Sequence, residues 1–169
     1  MAARIPKVLK NFNVMVNGNT FAGVCESVTL PTLTIKEEDH RAGGMDGTIG
    51  IDSGMEKMTL KATFTEHNAA LFGRFGLVDG AGTQFIFRGA QADDQTAQPY
   101  TVTASSALRV LAPSEATPGG KNTVEVTFTL TYYKLEINGQ TVHEIDVMGM
   151  KRIINGRDVL QQMRQIIGA

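Results

Sequence analysis

The sequence predicts a mainly β protein: two packed antiparallel sheets, sandwich- or barrel-like, with one middle helix and a short C-terminal helix. Three observations carry this expectation. Val124, Val126, Phe128, Leu130 and Tyr132 alternate with Glu125, Thr127, Thr129 and Thr131, which is the period of a half-buried strand. The dipeptides Asn17–Gly18 and Asn138–Gly139 lie between such runs, and Asn-Gly is the preferred pair for a two-residue hairpin turn. The 169 residues hold 18 glycines and no tryptophan, with 42% hydrophobic and 20% charged residues. That balance gives one domain over residues 1–169 an ordinary core and many turns.

In chain order, a strand over Asn13–Val16 turns at Asn17–Gly18 and returns over about Thr20–Val24. Glu26–Leu30 alternates up to Pro31, which cannot donate to a ladder. The apolar phase resumes one residue out of step at Leu33 and Ile35, as a bulge would cause. Residues 36–50, KEEDHRAGGMDGTIG, are charged and then glycine-rich without an apolar period. They read as an extended structureless loop, longer than an ordinary connection. Met55–Thr65 reads as one strand, with Met58, Leu60, Ala62 and Phe64 on the core face. Lys57, Thr59, Lys61, Thr63 and Thr65 occupy the other face.

Glu66–Gly76 reads as the middle helix, capped by Asn68, striped by Leu71, Phe72 and Phe75, and stopped by Gly76. Gln84–Arg88 is a short strand, Ala90–Gln98 a polar loop, and Tyr100–Leu111 a strand that is irregular around Ser105–Ser106. Pro113–Asn122 reads as a linker. From Val124 to Tyr132 the best strand spans roughly 30 Å at about 3.3 Å per residue. It continues to Ile137, turns at Asn138–Gly139 and returns over Thr141–Asp146. A helix over about 157–167 ends the chain, with Val159, Leu160, Met163, Ile166 and Ile167 on one face and Gly168 as its stop.

The net charge of −1 implies no global pull toward nucleic acid or an anionic membrane. Local excesses exist: Lys151, Arg152, Arg157 and Arg164 against Asp158 near the end, and Arg4, Lys7 and Lys10 at the start. Solvated ends are the ordinary reading of such patches. The single Cys25 excludes an internal disulfide and reads as a buried or half-buried thiol. His40, His67 and His143 stand in no metal-ligand spacing. Gly43–Gly47 lacks the following helix and lysine of a phosphate loop. Glu37–Glu38 and Asp93–Asp94 lie in polar segments. No catalytic set, cofactor or metal is therefore expected. No apolar run approaches the roughly 18 residues of a membrane span, so the expectation is a chain without a membrane anchor that stays soluble until it assembles.

Long strands in a small domain present open edges that invite pairing with other chains, and closure with neighbours would remove them. A wall that passes DNA must avoid an array of cations, because each neutralised phosphate adds affinity. The threonine-rich faces of Met55–Thr65 and Thr123–Thr131 suit such a wall, although a plain solvent face produces the same alternation. A carbohydrate-binding β-sandwich is the alternative from another class. It would need exposed aromatics, and the chain offers only Tyr100, Tyr132 and Tyr133, with Tyr132 on the expected core face.

Four ordered stretches resemble a known family. They are Val28-Thr29-Leu30-Pro31-Thr32-Leu33; Arg41-Ala42-Gly43-Gly44-Met45-Asp46-Gly47 with Ile51-Asp52-Ser53-Gly54-Met55-Glu56; Tyr132 to Gly139 with Glu144-Ile145-Asp146; and Ile154-Asn155-Gly156-Arg157-Asp158 before the final helix. Together they resemble the major tail tube proteins of contractile-tailed phages, whose close relatives are the tubes of R-type bacteriocins. The resemblance implies two packed antiparallel sheets with a flanking helix, six subunits to a ring, and rings stacked into a hollow tube. It implies a contractile sheath outside, tape measure, baseplate and terminator proteins as further partners, and DNA passing through the lumen without specific binding. The place would be the virion tail or a phage-tail-like particle, built from subunits made in the host bacterial cytoplasm. Arg41, Ala42, Gly43, Gly44, Met45, Asp46, Gly47 and Thr48 would contact neighbouring subunits. Lys57, Thr59, Lys61, Thr63, Glu125, Thr127 and Thr129 would face the lumen. A type VI secretion-like tube protein is the alternative within the class.

Overall fold

The computed structural model describes residues 5–77 and 82–168; Arg4, part of the basic start, lies outside them. Twelve strands and two helices follow one another: β1 Val8–Val16, β2 Asn19–Thr20, β3 Cys25–Thr29, β4 Ile35–His40, β5 Ile49–Met55, β6 Thr59–Phe64, α1 Ala69–Phe72, β7 Thr83–Ala92, β8 Ala97–Pro113, β9 Val124–Ile137, β10 Gln140–Asp146, β11 Lys151–Ile154, β12 Arg157–Asp158 and α2 Gln161–Ile167. The architecture is mainly β, with two antiparallel sheets and two helices, as the alternation predicts. Ten strands form one sheet, and β4 and β5 form the other.

Strand β9 organises the large sheet. β8 pairs along the whole of one edge, while the other edge takes β6 against Val124–Thr129 and β10 against Tyr132–Ile137. The sheet thus forks into a branch β3-β6-β9-β8 and a branch running β12-β11-β10-β9-β8-β7-β1-β2. The branches fold onto each other: Phe85 of β7 meets Phe128 of β9 at a ring separation of 5.4 Å, and Phe21 meets Phe64 at 4.9 Å. Between them lies the core of Val14, Leu60, Phe64, Phe85, Val102, Val126 and Phe128, all fully buried. Among the described residues the sheet does not close into a barrel.

Both sequence-read Asn-Gly turns form. Asn17 and Gly18 hold φ of 50° and 83°, Asn138 and Gly139 hold 52° and 76°, the paired positive angles of a two-residue hairpin. A third pair, Asn155 and Gly156 at 49° and 80°, joins β11 to β12, two strands absent from the sequence reading. The first hairpin returns only over Asn19–Thr20 rather than to Val24. There the chain turns Phe21 inward against Phe64 instead of extending.

Other boundaries also differ. Residues 36–50 are not structureless: residues 36–40 and 49–50 belong to the strands of the β4–β5 hairpin, and Arg41–Thr48 form its loop. The sequence hides this hairpin because both of its faces are solvated. Met55–Thr65 is two strands, since Met55 ends β5 and β6 starts at Thr59. Lys57 therefore falls between strands. The middle helix is the single turn α1, with Asn68 capping through its side chain to the Ala70 N–H as expected. The polar loop shrinks to residues 93–96, because β7 and β8 extend around it and the Asp93 carboxylate accepts from the Gln95 and Thr96 N–H groups. The last helix starts at Gln161 and stops at Gly168, whose φ is 73°.

Strand β9 changes its inward phase. Val124, Val126, Phe128 and Leu130 are buried, then Tyr133 and Leu135. The β8 register jumps from Ser105↔Tyr132 to Ser106↔Leu130, which leaves Thr131 as the extra residue of a bulge. Tyr132 consequently sits half-buried on the outer side, not in the core, and donates to the Glu144 carboxylate at 3.3 Å.

Candidate functional site

The sequence-singled Cys25 and histidines lie apart from one another. Cys25 lies half-buried with its Sγ 3.6 Å from the Ser27 carbonyl, and burial pushes its thiol up to about 12. A thiol so disposed is protonated near neutrality and is a poor nucleophile. His40 ends β4 on an exposed strand, His67 packs against Phe72, and His143 lies in β10 with a buried, unpartnered Nδ1. Among the described residues, no three His, Cys, Asp or Glu side chains group to hold a metal ion. Among the described residues, no helix is long and apolar enough to cross a membrane. What the molecule offers instead is three surfaces.

The first is the outer face of the four-stranded branch. The pairs Thr59↔Thr129, Lys61↔Thr127 and Thr63↔Glu125 place six of the seven expected lumen residues on one face of β6 and β9. Lys57 is not among them. Ser27 and Thr29 of β3 join this face beside Thr63 and Lys61, and Val110 and Ala112 of β8 join it beside Thr127 and Glu125. Its two charges cancel, since Lys61 Nζ lies 3.2 Å from Glu125 Oε1. Both ends of this branch lack a neighbouring strand, although on β8 the Leu108 carbonyl accepts from the Gly76 N–H at 3.2 Å. Among the described residues, no strand pairs with the second edge of β3 or with that of β8 beyond Ser106.

The second surface is the β4–β5 arm. Every residue from Ile35 to Ser53 is exposed except the half-buried Met45. The loop Arg41, Ala42, Gly43, Gly44, Met45, Asp46, Gly47 and Thr48 is closed by the Met45 N–H on the Ala42 carbonyl at 3.2 Å, with Gly44 at a φ of 85°. The arm has two unlike faces. Register places Glu38 beside Ile51 and His40 beside Ile49 on one, and Glu37 beside Asp52 and Asp39 beside Gly50 on the other. Asp52 ties its face to the body through a 2.8 Å ion pair with Arg152 of β11, whose guanidinium is nearly buried. That bond, with the Gly54 N–H on the other oxygen, holds the Asp52 carboxyl below the ordinary carboxylate range.

The third surface is the C-terminal end. A cleft of about 570 Å³ opens between the arm base (Asp52, Met55), the turn after β10 (Val147, Met150) and the α2 region (Val159, Met163). α2 buries none of its residues; its apolar stripe ends in Ile166 and Ile167, 77% and 58% exposed. The stripe was legible in the sequence; its lack of a partner was not. Arg164 fixes the helix, reaching the Met150 carbonyl at 2.8 Å and Asp158 at 2.6 Å, which also holds the Asp158 carboxyl low. Lys151 and Arg157 are exposed and have no ion-pair partner among the described residues.

Residues 6–168 match the family model described as phage tail tube protein FII. The chain is 29% identical over 169 residues to the tail tube protein of Escherichia phage P2, covering 97% of this chain and 98% of that protein. It is 30% identical over 157 residues to the major tail tube protein of Serratia phage KSP20, covering 85% of each. Among solved structures it resembles the sheath/tube terminator of an extracellular contractile injection system, PVC, in the extended state. The TM-score is 0.62 at 11% identity, over 80% of this chain and 99% of that one, a likeness of fold.

Proposed function

The chain belongs to the phage tail tube protein FII family, and from that premise we propose that it is the structural subunit of the inner tube of a contractile phage tail or phage-tail-like particle. It acts as one tube domain and catalyses no reaction. Six copies form a ring, rings stack into a hollow tube, and the tube passes through the host envelope and conducts DNA. The observation that carries this reading is the four-stranded branch, whose two edges have no strand neighbour among the described residues and whose outer face is hydroxyl-rich. An open edge on each side lets β3 of one copy pair with β8 beyond Ser106 in the next. Repetition of that pairing around a closed ring leaves neither edge of this branch unpaired.

The branch face then lines the lumen with Thr59, Lys61, Thr63, Glu125, Thr127 and Thr129. Lys61 is compensated by Glu125, so the wall presents no ladder of free cations to the phosphates and DNA slides without being held. The loop Arg41–Thr48 and the arm behind it reach neighbouring copies. Sheath, tape measure, baseplate and terminator proteins are the further partners, and the subunit is made in the host bacterial cytoplasm before joining the virion tail. Negative-stain electron microscopy of the purified chain at rising concentration tests the reading. Rings or hollow rods of constant width are expected. A monomer at every concentration, even with preformed tube ends added as seeds, overturns it.

A further inference from the structure

We propose that the isoleucine face of one subunit's arm seats on the C-terminal helix α2 of a second copy, with the acids of β4 beside that copy's Lys151 and Arg157. The inference rests on the tube reading and names the surface that receives the arm. Ile49 and Ile51 share one arm face and are 51% and 48% exposed. On α2 and its approach, Val159, Met163, Ile166 and Ile167 form an equally uncovered stripe. Two apolar strips of this kind on one soluble subunit mark a contact surface.

The arm cannot satisfy its own helix. Glu37 and Asp52 share the face opposite the isoleucines, and Asp52 is held by Arg152 on the subunit's own β11. The isoleucine face is therefore turned away from the body that bears the arm, and the helix it covers belongs to another copy. Charge selects the same pairing. Glu37, Glu38 and Asp39 have no ion-pair partner among the described residues, and neither have Lys151 and Arg157. A two-stranded ribbon is thin enough that acids on both of its faces act within a Debye length, about 8 Å at physiological salt. Donor arm and receiving helix are different patches, so the contact is head-to-tail, the kind that generates rings when its rotation closes.

A charge swap between copies tests this. Glu38→Lys with Asp39→Lys reverses the arm, and Lys151→Glu with Arg157→Glu reverses the receiving end; none of the four touches the Asp52–Arg152 pair. Each variant alone is expected to raise the concentration needed for assembly at least about tenfold, the change that roughly 1.4 kcal/mol per contact brings. Both reversals in one chain are expected to restore assembly. A 1:1 mixture of the two single-site variants is also expected to assemble, in alternation, because each arm then meets a helix of opposite sign. Wild-type rods with neither the combined chain nor the mixture restored would overturn the arm-to-helix contact and leave the tube reading intact. A wild-type chain that never assembles would overturn both.

Discussion

Phe128→Ala removes the side chain on which the two branches of the sheet meet. Phe128 is fully buried in β9 and contacts Phe85 of β7, a strand it does not pair with, at 5.4 Å. Truncating a fully buried phenylalanine costs about 3–5 kcal/mol, transfer and cavity together, a large share of the roughly 5–15 kcal/mol that holds such a domain folded. At about 2–4 °C per kcal/mol for a chain of this size, the melting temperature falls by about 6–20 °C. The chain has no tryptophan, so urea unfolding of the unassembled subunit is followed by far-ultraviolet circular dichroism. The control is Thr129→Asp, one residue along on the outer face, which is expected to leave the subunit folded. A loss below about 1 kcal/mol for Phe128→Ala, or an equal loss for Thr129→Asp, would refute the facing of β9 and with it the placement of the threonine face.

Three further outcomes follow from the same geometry. Past the Thr131 bulge the inward phase reverses, so Tyr133→Ala should destabilise by about 3 kcal/mol or more and Tyr132→Phe by less than about 1 kcal/mol in the same urea titration; the opposite ranking would place the bulge elsewhere. The Asp52 carboxyl is held low by Arg152, so the arm's tie to the body is present above the ordinary carboxylate range and is lost as pH falls through the lowered folded value. Amide exchange in β5 should accelerate at that acid end and, at neutral pH, in Asp52→Asn; identical exchange in the variant would show that the pair does not hold the arm. Deleting Ala42–Gly47 should leave the melting temperature of the subunit unchanged and abolish rods, and normal rods from the deletion would remove the loop from the assembly surface.

Much of this fold was readable because burial on one side imposes a period. Val124 to Leu130 alternate because β9 has one face on the core, and Asn17–Gly18 and Asn138–Gly139 turn where both residues must take positive φ. Asn155–Gly156 carried the same signal, but β11 and β12 are too short to show a period of their own. The arm was invisible as strands because neither of its faces is buried in the subunit, so nothing imposed alternation on Ile35–His40. A mirror-image limit applies at α2. Its stripe was plain in the sequence, yet an apolar stripe records only that a partner exists, and the described residues of the subunit leave it exposed. Six of the expected lumen residues share one face of β6 and β9, while Lys57 lies in the stretch 56–58 between β5 and β6, a break that an unbroken alternation concealed.

The most direct test of the central claim is a cryo-electron microscopy reconstruction of the assembled rods at a resolution that traces side chains. A closed ring of six copies is expected, in which β3 of each pairs with the outer end of β8 in the next, with Thr59, Lys61, Thr63, Glu125, Thr127 and Thr129 lining a central channel. A tube whose channel is lined by any other face, or whose β3 and β8 edges remain unpaired between copies, would contradict it.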